Sequence, residues 1–240
     1  MKETTIFDDR VFLIVNDEPT PLLYTGKQRA FEYEGKNLRL YNQSCPEWTH
    51  PYAYAAEGGD PGENLHDSGC GIFATAHLID WATGEKIDVE ELAEFSCANG
   101  GRGDDGTDRP ALLAAMQKDG RLTEAGLRYD DDGLLNDHEA LWKTMTSGGC
   151  ALCNLRVGHI VALVDWRERD GERQLLAIDS SRDSMNPHVR YKIREVVPGS
   201  GAVAEYVNSR GVRTGMDEHY AMFWVPLDMP SDFNLLHSVR

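Results

Sequence analysis

From Gly149 onward the chain stops reading as helices and reads as strands, and this change constrains the fold more than any other feature. The runs CALCNLRV, HIVALVDW, RQLLAIDS, HVRYKIREVV and YAMFWVPL are short, rich in β-branched or aromatic residues, and bounded by turn residues. Four helices precede them. One opens at Cys70, where Gly69-Cys70-Gly71 breaks a loop and Ile72, Phe73, Ala76, Ile79 and Trp81 follow near helical spacing as far as a stop at Gly84. The other three are signalled by capping residues: Asp88 before VEELAEF, Thr107 before DRPALLAAMQKDG with Pro110 in the opening turn, and Asn136 before DHEALWKTM. Helices first and strands second predict an α+β architecture in which a helical half packs on a mostly antiparallel sheet.

Residues 11–41 add VFLIV, PLLYT and NLRLYN, a β-rich lead-in, so the expected division is a lead-in at 1–40 and a main domain at 41–240. From Asn42 to Gly69 the chain is rich in Gly, Pro, Asn and aromatics with little periodicity and reads as a long irregular loop, of a length that is usually functional or disordered. With 240 residues there is enough chain for one well-buried core.

Charge and cysteine usage narrow the function. Forty acidic against 24 basic residues give a net charge of -16, which repels phosphate backbones and anionic lipid, so nucleic acid and membrane are not expected partners. No apolar run approaches the roughly 20 residues that span a bilayer, and the N-terminal segment lacks the pattern of a secretory signal, so the expected compartment is the cytoplasm. Five cysteines there are expected to be reduced thiols.

A thiol becomes a useful nucleophile when its anion is favoured, as at the positive end of a helix dipole beside an imidazole. Cys70 is placed for this, and the amide at a helix start is a natural oxyanion donor; the flanking glycines are expected to let a substrate carbonyl approach. His159 opens the apolar strand HIVALVDW. That strand and RQLLAIDS are joined by RERDGE and should form an antiparallel hairpin centred near Arg169 to Asp170. Paired positions in a hairpin keep a nearly constant sum, so residue 159 faces a residue between 179 and 181, which makes Asp179 its neighbour. A carboxylate there accepts the second imidazole N–H, fixes the tautomer and stabilises the imidazolium. Asp165 lies roughly 20 Å along the strand at about 3.3 Å per residue and is set aside.

A nucleophile on a helix N-terminus, followed by His and Asp on adjacent strands, resembles the papain-like cysteine peptidases. The match is nearer to compact bacterial peptidases similar to those that process bacteriocin leader peptides. Tyr41-Asn42-Gln43, Pro46-Glu47-Trp48, Ser68-Gly69-Cys70-Gly71, Gly158-His159-Ile160-Val161 and Ile178-Asp179-Ser180 carry the resemblance, which covers residues 41 to 181. It departs from the family where Ile72-Phe73 and Ser180 stand in place of the residues usual after Cys-Gly and after the Asp. The resemblance implies a Cys70, His159, Asp179 triad acting on a peptide or protein substrate. It also implies an oxyanion-hole amide upstream of the nucleophile, with Gln43 first and Asn64 as the alternative. No cofactor or metal is expected. Acyl transfer to an amine on the same triad, and a peptide-binding module without catalysis, are the rival functions.

Cys150 and Cys153 form a CxxC, but in a strand positions three apart point to opposite faces, so core thiols are expected rather than a redox pair or zinc site. Cys45 and Cys97 are read as core or loop thiols. His77 lies about 10 Å up the helix from Cys70, too far to serve it, and His66 is read as a solvated loop residue. The acidic runs 104–108 and 130–133 lack the spacing of a calcium loop and are read as solvated turns that could bias a cleft toward cationic substrates.

Overall fold

The structure, a computed structural model, describes residues 2–7, 10–15, 18–23, 27–33, 35–43, 45–54, 62–154, 159–169, 171–180 and 218–239. The N-terminal part holds five strands, β1 (Lys2–Phe7), β2 (Arg10–Val15), β3 (Glu18–Leu23), β4 (Gln28–Tyr33) and β5 (Lys36–Tyr41). The helical part follows with α1 (Leu65–Ser68), α2 (Cys70–Thr83) and α3 (Val89–Ala98), the short strands β6 (Arg102–Gly103) and β7 (Gly106–Thr107), then α4 (Arg109–Asp119), α5 (Arg121–Glu124), β8 (Leu127–Arg128) and α6 (His138–Thr146). The chain ends in β9 (Cys150–Asn154), β10 (Ile160–Arg169), β11 (Glu172–Ile178), β12 (Glu218–Pro226) and β13 (Asp232–Ser238). The expected mixture of helices with an antiparallel sheet is what forms.

The main sheet has nine antiparallel strands in the order β3-β2-β1-β12-β11-β10-β9-β13-β8. Its central strands are buried on both faces, and the period of two sends alternate residues into two separate cores. Cys150, Leu152, Ala162, Val164, Leu176 and Ile178 face the core shared with α2, α3 and α4, including Ile72, Phe73, Leu92 and Leu112. Ala151, Cys153, Val161, Leu163, Leu175 and Ala177 face the core covered by α6 through Leu141, Trp142 and Met145. Cys150 and Cys153 therefore lie on opposite faces of β9, both buried, and burial raises both thiols well above their ordinary range.

Several sequence expectations change in detail. The cap of α4 is Asp108, not Thr107, and that of α6 is Asp137, not Asn136. In each case a carboxylate accepts first-turn amides, which a negative charge does better at the positive end of a helix. The segment 42–69 is not wholly irregular, because it contains α1 and a bridge from Pro51 to Asn64. β13 has no counterpart in the sequence reading, although it pairs with β9 in the body of the sheet. The lead-in is divided: β1 continues the main sheet beside β12, whereas β4 and β5 form a separate ribbon packed on α2. The expected boundary between residues 40 and 41 falls inside β5. The strand expected in HVRYKIREVV lies outside the described residues.

Helix α2 positions the site. Its N-terminus carries the half-buried Cys70, while Gly71 to Leu78 are buried against β10, β5 and β9. At its far end Gly84 takes a left-handed conformation, φ 75°, and returns its N–H to Asp80 O, which ends the helix where the sequence indicated. Asp80 is buried but accepts from Arg39 N at 2.5 Å and from Arg39 Nη1 at 2.6 Å, which ties β5 to the back of the helix.

Candidate active site

Cys70 is the first residue of a 14-residue helix and is half-buried. The short helix α1 would run into α2 but for Gly69, which breaks the path. A Cβ on Gly69 would stand 2.4 Å from Leu65 O, and one on Gly71 would stand 2.4 Å from Thr107 Cβ. The protein's own packing is therefore by itself enough to require both glycines flanking Cys70.

His159 stands immediately before β10, and Asp179 immediately after β11. The hairpin between them pairs Ala162 with Ile178 and Arg169 with Glu172, with a bulge between Leu163 and Asp165 that shifts the register by one. The pairing carries His159 and Asp179 to the same end of the sheet, where His159 Nε2 donates to Asp179 Oδ1 at 2.6 Å. Both side chains are almost fully buried. Asp165 pairs with Leu176 farther down the hairpin, away from His159.

With Nε2 committed to Asp179, Nδ1 is the ring nitrogen left for Cys70, and His159 and Cys70 are close enough for each to shift the titration of the other. Burial works against the Cys70 thiolate. The hydrogen bond and charge of His159, joined by the amides of Ile160 and Gly71, outweigh it and hold the thiol below its ordinary value of 9.0. Burial also works against the His159 cation, but the charge of Asp179, the hydrogen bond to it, and the Cys70 thiolate push the imidazolium up to about 10. The pair is thus set up to hold sulfur negative and imidazole positive together, and its two titrations belong to the pair rather than to either residue.

Gln43 is buried and held at three points. Its backbone N–H donates to Ser180 O at 2.8 Å, its Oε1 accepts from Ser180 Oγ at 3.2 Å, and its Nε2 donates to His66 O at 3.2 Å. One Nε2 hydrogen is left over among the described contacts. In an uninterrupted helix the carbonyl four residues back, that of His66, would take the Cys70 N–H. Here it accepts from Gln43 instead, which brings the amide to the turn that carries Cys70. Asn64, the alternative, is engaged elsewhere: it caps α1, its Oδ1 accepting from Asp67 N at 3.2 Å. Ser180 is the residue whose hydroxyl holds the Gln43 oxygen.

His66, expected in a solvated loop, lies instead in α1, half exposed with Nδ1 2.9 Å from Asp67 Oδ1. His77 is buried in α2, where Nε2 accepts from Tyr41 N at 3.0 Å. Burial, only partly opposed by the charge of Asp179, lowers its pKa to about 3, so it is a neutral core histidine. Among the described residues no group of His, Cys, Asp and Glu could hold a metal ion, and no helix is long and apolar enough to cross a membrane. What sequence reasoning missed is the surround of the nucleophile: Arg102, Glu63 and Thr107. The only available signal was an arginine set in the glycine-rich stretch GGRGDDG, where tight turns expose carbonyls to a guanidinium.

No protein-family model, curated protein or solved structure matches this chain. The arrangement of its own residues is what bears on function.

Proposed function

We propose that this chain is a papain-like cysteine hydrolase that cleaves a peptide or amide bond through Cys70, His159 and Asp179. The observation that carries the reading is the 2.6 Å contact from His159 Nε2 to Asp179 Oδ1, which leaves the ring's second nitrogen for a sulfur at the start of a long helix.

In this reading the Cys70 thiolate attacks the substrate carbonyl carbon, and the carbonyl oxygen becomes an oxyanion held by the Cys70 N–H and the remaining Gln43 Nε2–H. The His159 imidazolium gives its proton to the departing amine as the C–N bond breaks, leaving a thioester on Cys70 and a neutral imidazole. That imidazole then takes a proton from water, whose oxygen attacks the thioester carbon. Collapse expels the thiolate, releases the acid and restores the ion pair. Asp179 keeps the ring oriented through both halves and stabilises its cationic form.

The test is labelling and turnover together. Iodoacetamide should modify Cys70 before Cys45, Cys97, Cys150 or Cys153, and Cys70→Ala should abolish cleavage of a peptide library followed by mass spectrometry. Turnover by Cys70→Ala, or first labelling at another cysteine, overturns the reading. An added amine that yields more transfer product than hydrolysis would replace hydrolase by acyltransferase on the same triad.

A further inference from the structure

One buried guanidinium joins the segment before the nucleophile to the hairpin beside it. Arg102 donates from Nε to Tyr52 O at 3.0 Å, from Nη1 to Gly106 O at 2.8 Å and to Gly103 O, and from Nη2 to Glu63 Oε2. Its side chain is 2% exposed, against 29% for Glu63. The second oxygen of Glu63 accepts from Ser68 Oγ at 3.1 Å, and Ser68 stands two residues before Cys70. On the other side, the β6–β7 hairpin whose carbonyls Arg102 holds presents Thr107 to Gly71, so closely that no Cβ fits between them. Thr107 Oγ1 is in turn bonded to Tyr52 OH at 2.8 Å, and Tyr52 OH to Ser96 Oγ at 3.2 Å.

Arg102 thus grips the chain on both sides of Cys70, through Glu63 and Ser68 before it and through the hairpin and Thr107 after it. Desolvation largely offsets the attraction in a buried ion pair, so such a pair is a poor way to add stability and a good way to fix a geometry. The geometry in question is a turn interrupted at Gly69, where the His66 carbonyl that a continuous helix would offer to the Cys70 N–H accepts from Gln43.

We propose that Arg102, Glu63 and Ser68 are positioning residues. They set the Ser68 to Cys70 turn so that the sulfur meets the His159 ring and the Cys70 N–H points into the site. This rests on the reading of Cys70 as nucleophile. None of the three touches the reacting atoms, and each acts through the backbone on which Cys70 sits.

The experiment follows iodoacetamide alkylation of Cys70 in the full chain by peptide mass spectrometry across pH, well below each variant's Tm, for wild type, Ser68→Ala, Glu63→Gln and Glu63→Asp. Ser68→Ala and Glu63→Gln should slow alkylation at mildly acidic pH by about tenfold and raise its midpoint by about one pH unit, while Glu63→Asp recovers part of the loss. The direction is diagnostic, because removing a negative charge near Cys70 would by itself favour the thiolate and lower the midpoint. Profiles that superimpose on wild type while Tm falls would reduce the clasp to a stabiliser of the fold and overturn the proposal. Should Glu63→Gln fail to fold, Ser68→Ala, which removes one hydroxyl, decides alone. Wild-type protein without preferential labelling at Cys70 overturns the nucleophile reading and this proposal with it. Preferential labelling that the variants leave unchanged overturns only the clasp.

Discussion

Replacing Asp179 by Asn isolates the electrostatic role of the carboxylate, because the amide keeps an oxygen in place to accept the His159 Nε2–H. Asp179 Oδ1 lies 2.6 Å from Nε2, which puts the charge centres about 4 Å apart. At an effective dielectric constant of about 20 the attraction between them is about 4 kcal/mol. Converted at about 1.4 kcal/mol per pH unit, its loss lowers the His159 midpoint by about 3 units. Starting from about 10, the imidazolium of the variant should therefore titrate near neutrality, at about 7. NMR titration of the His159 ring reads this directly, and the alkaline limb of the pH–rate profile should move down by the same amount. A midpoint within about one unit of wild type would show that Asp179 is not what holds the proton, and would refute the assignment of its role.

Gln43→Ala should lower kcat by about a hundredfold or more with little change in KM, whereas Asn64→Ala should leave kcat unchanged and cost about 1 kcal/mol of stability as a lost helix cap, measured by urea denaturation. Gly71→Ala should destabilise the protein by about 1–3 kcal/mol, because its Cβ overlaps Thr107, and the double variant Gly71→Ala, Thr107→Gly should recover most of that in thermal melts. Stability should also depend on pH through the Cys70 and His159 pair. His159, raised from 6.5 to about 10, stabilises fully below 6.5 and loses that contribution as pH climbs through about 10. Cys70, lowered from 9.0, contributes fully above 9.0 and loses its contribution as pH falls through the folded value. Where Cys70 is ionised in the folded chain and the pH lies between 6.5 and 9.0, folded and unfolded chains each bind about one proton on the pair and its contribution is level; above 9.0 it decays as the unfolded thiol loses its proton. Urea titrations of wild type and Cys70→Ala across pH should differ in this shape, and a wild-type curve that keeps rising above pH 10 would contradict it.

The amino-acid sequence by itself determined what short windows encode. The glycine before Cys70, the apolar spacing after it and Gly84 place a helix whose first residue is the thiol, because caps and periodicity act within a few residues of where they are read. The hairpin turn after Arg169 made Asp179 the neighbour of His159, because antiparallel pairing is arithmetic once its turn is known, and a one-residue bulge did not disturb it. The same period sent Cys150 and Cys153 to opposite faces.

Only the tertiary structure decided what depends on pairing across long stretches of chain. The β13 segment DFNLLHS carries polar residues at positions that look solvent-facing, and it is a strand because β9 and β8 accept it. Asn234 is buried there with Nδ2 donating to Gly133 O at 2.7 Å. That Asn64 caps α1 while Gln43, more than twenty residues earlier, reaches the carbonyl of His66 follows from how the loop folds back on the helix end. The setting of Cys70 rests on Arg102, whose partners Tyr52 and Glu63 lie 50 and 39 residues away and which no local signal joins to it. A guanidinium finds its acceptors only after the backbone has closed around it, so its role follows from the fold and is not written in the residues beside it.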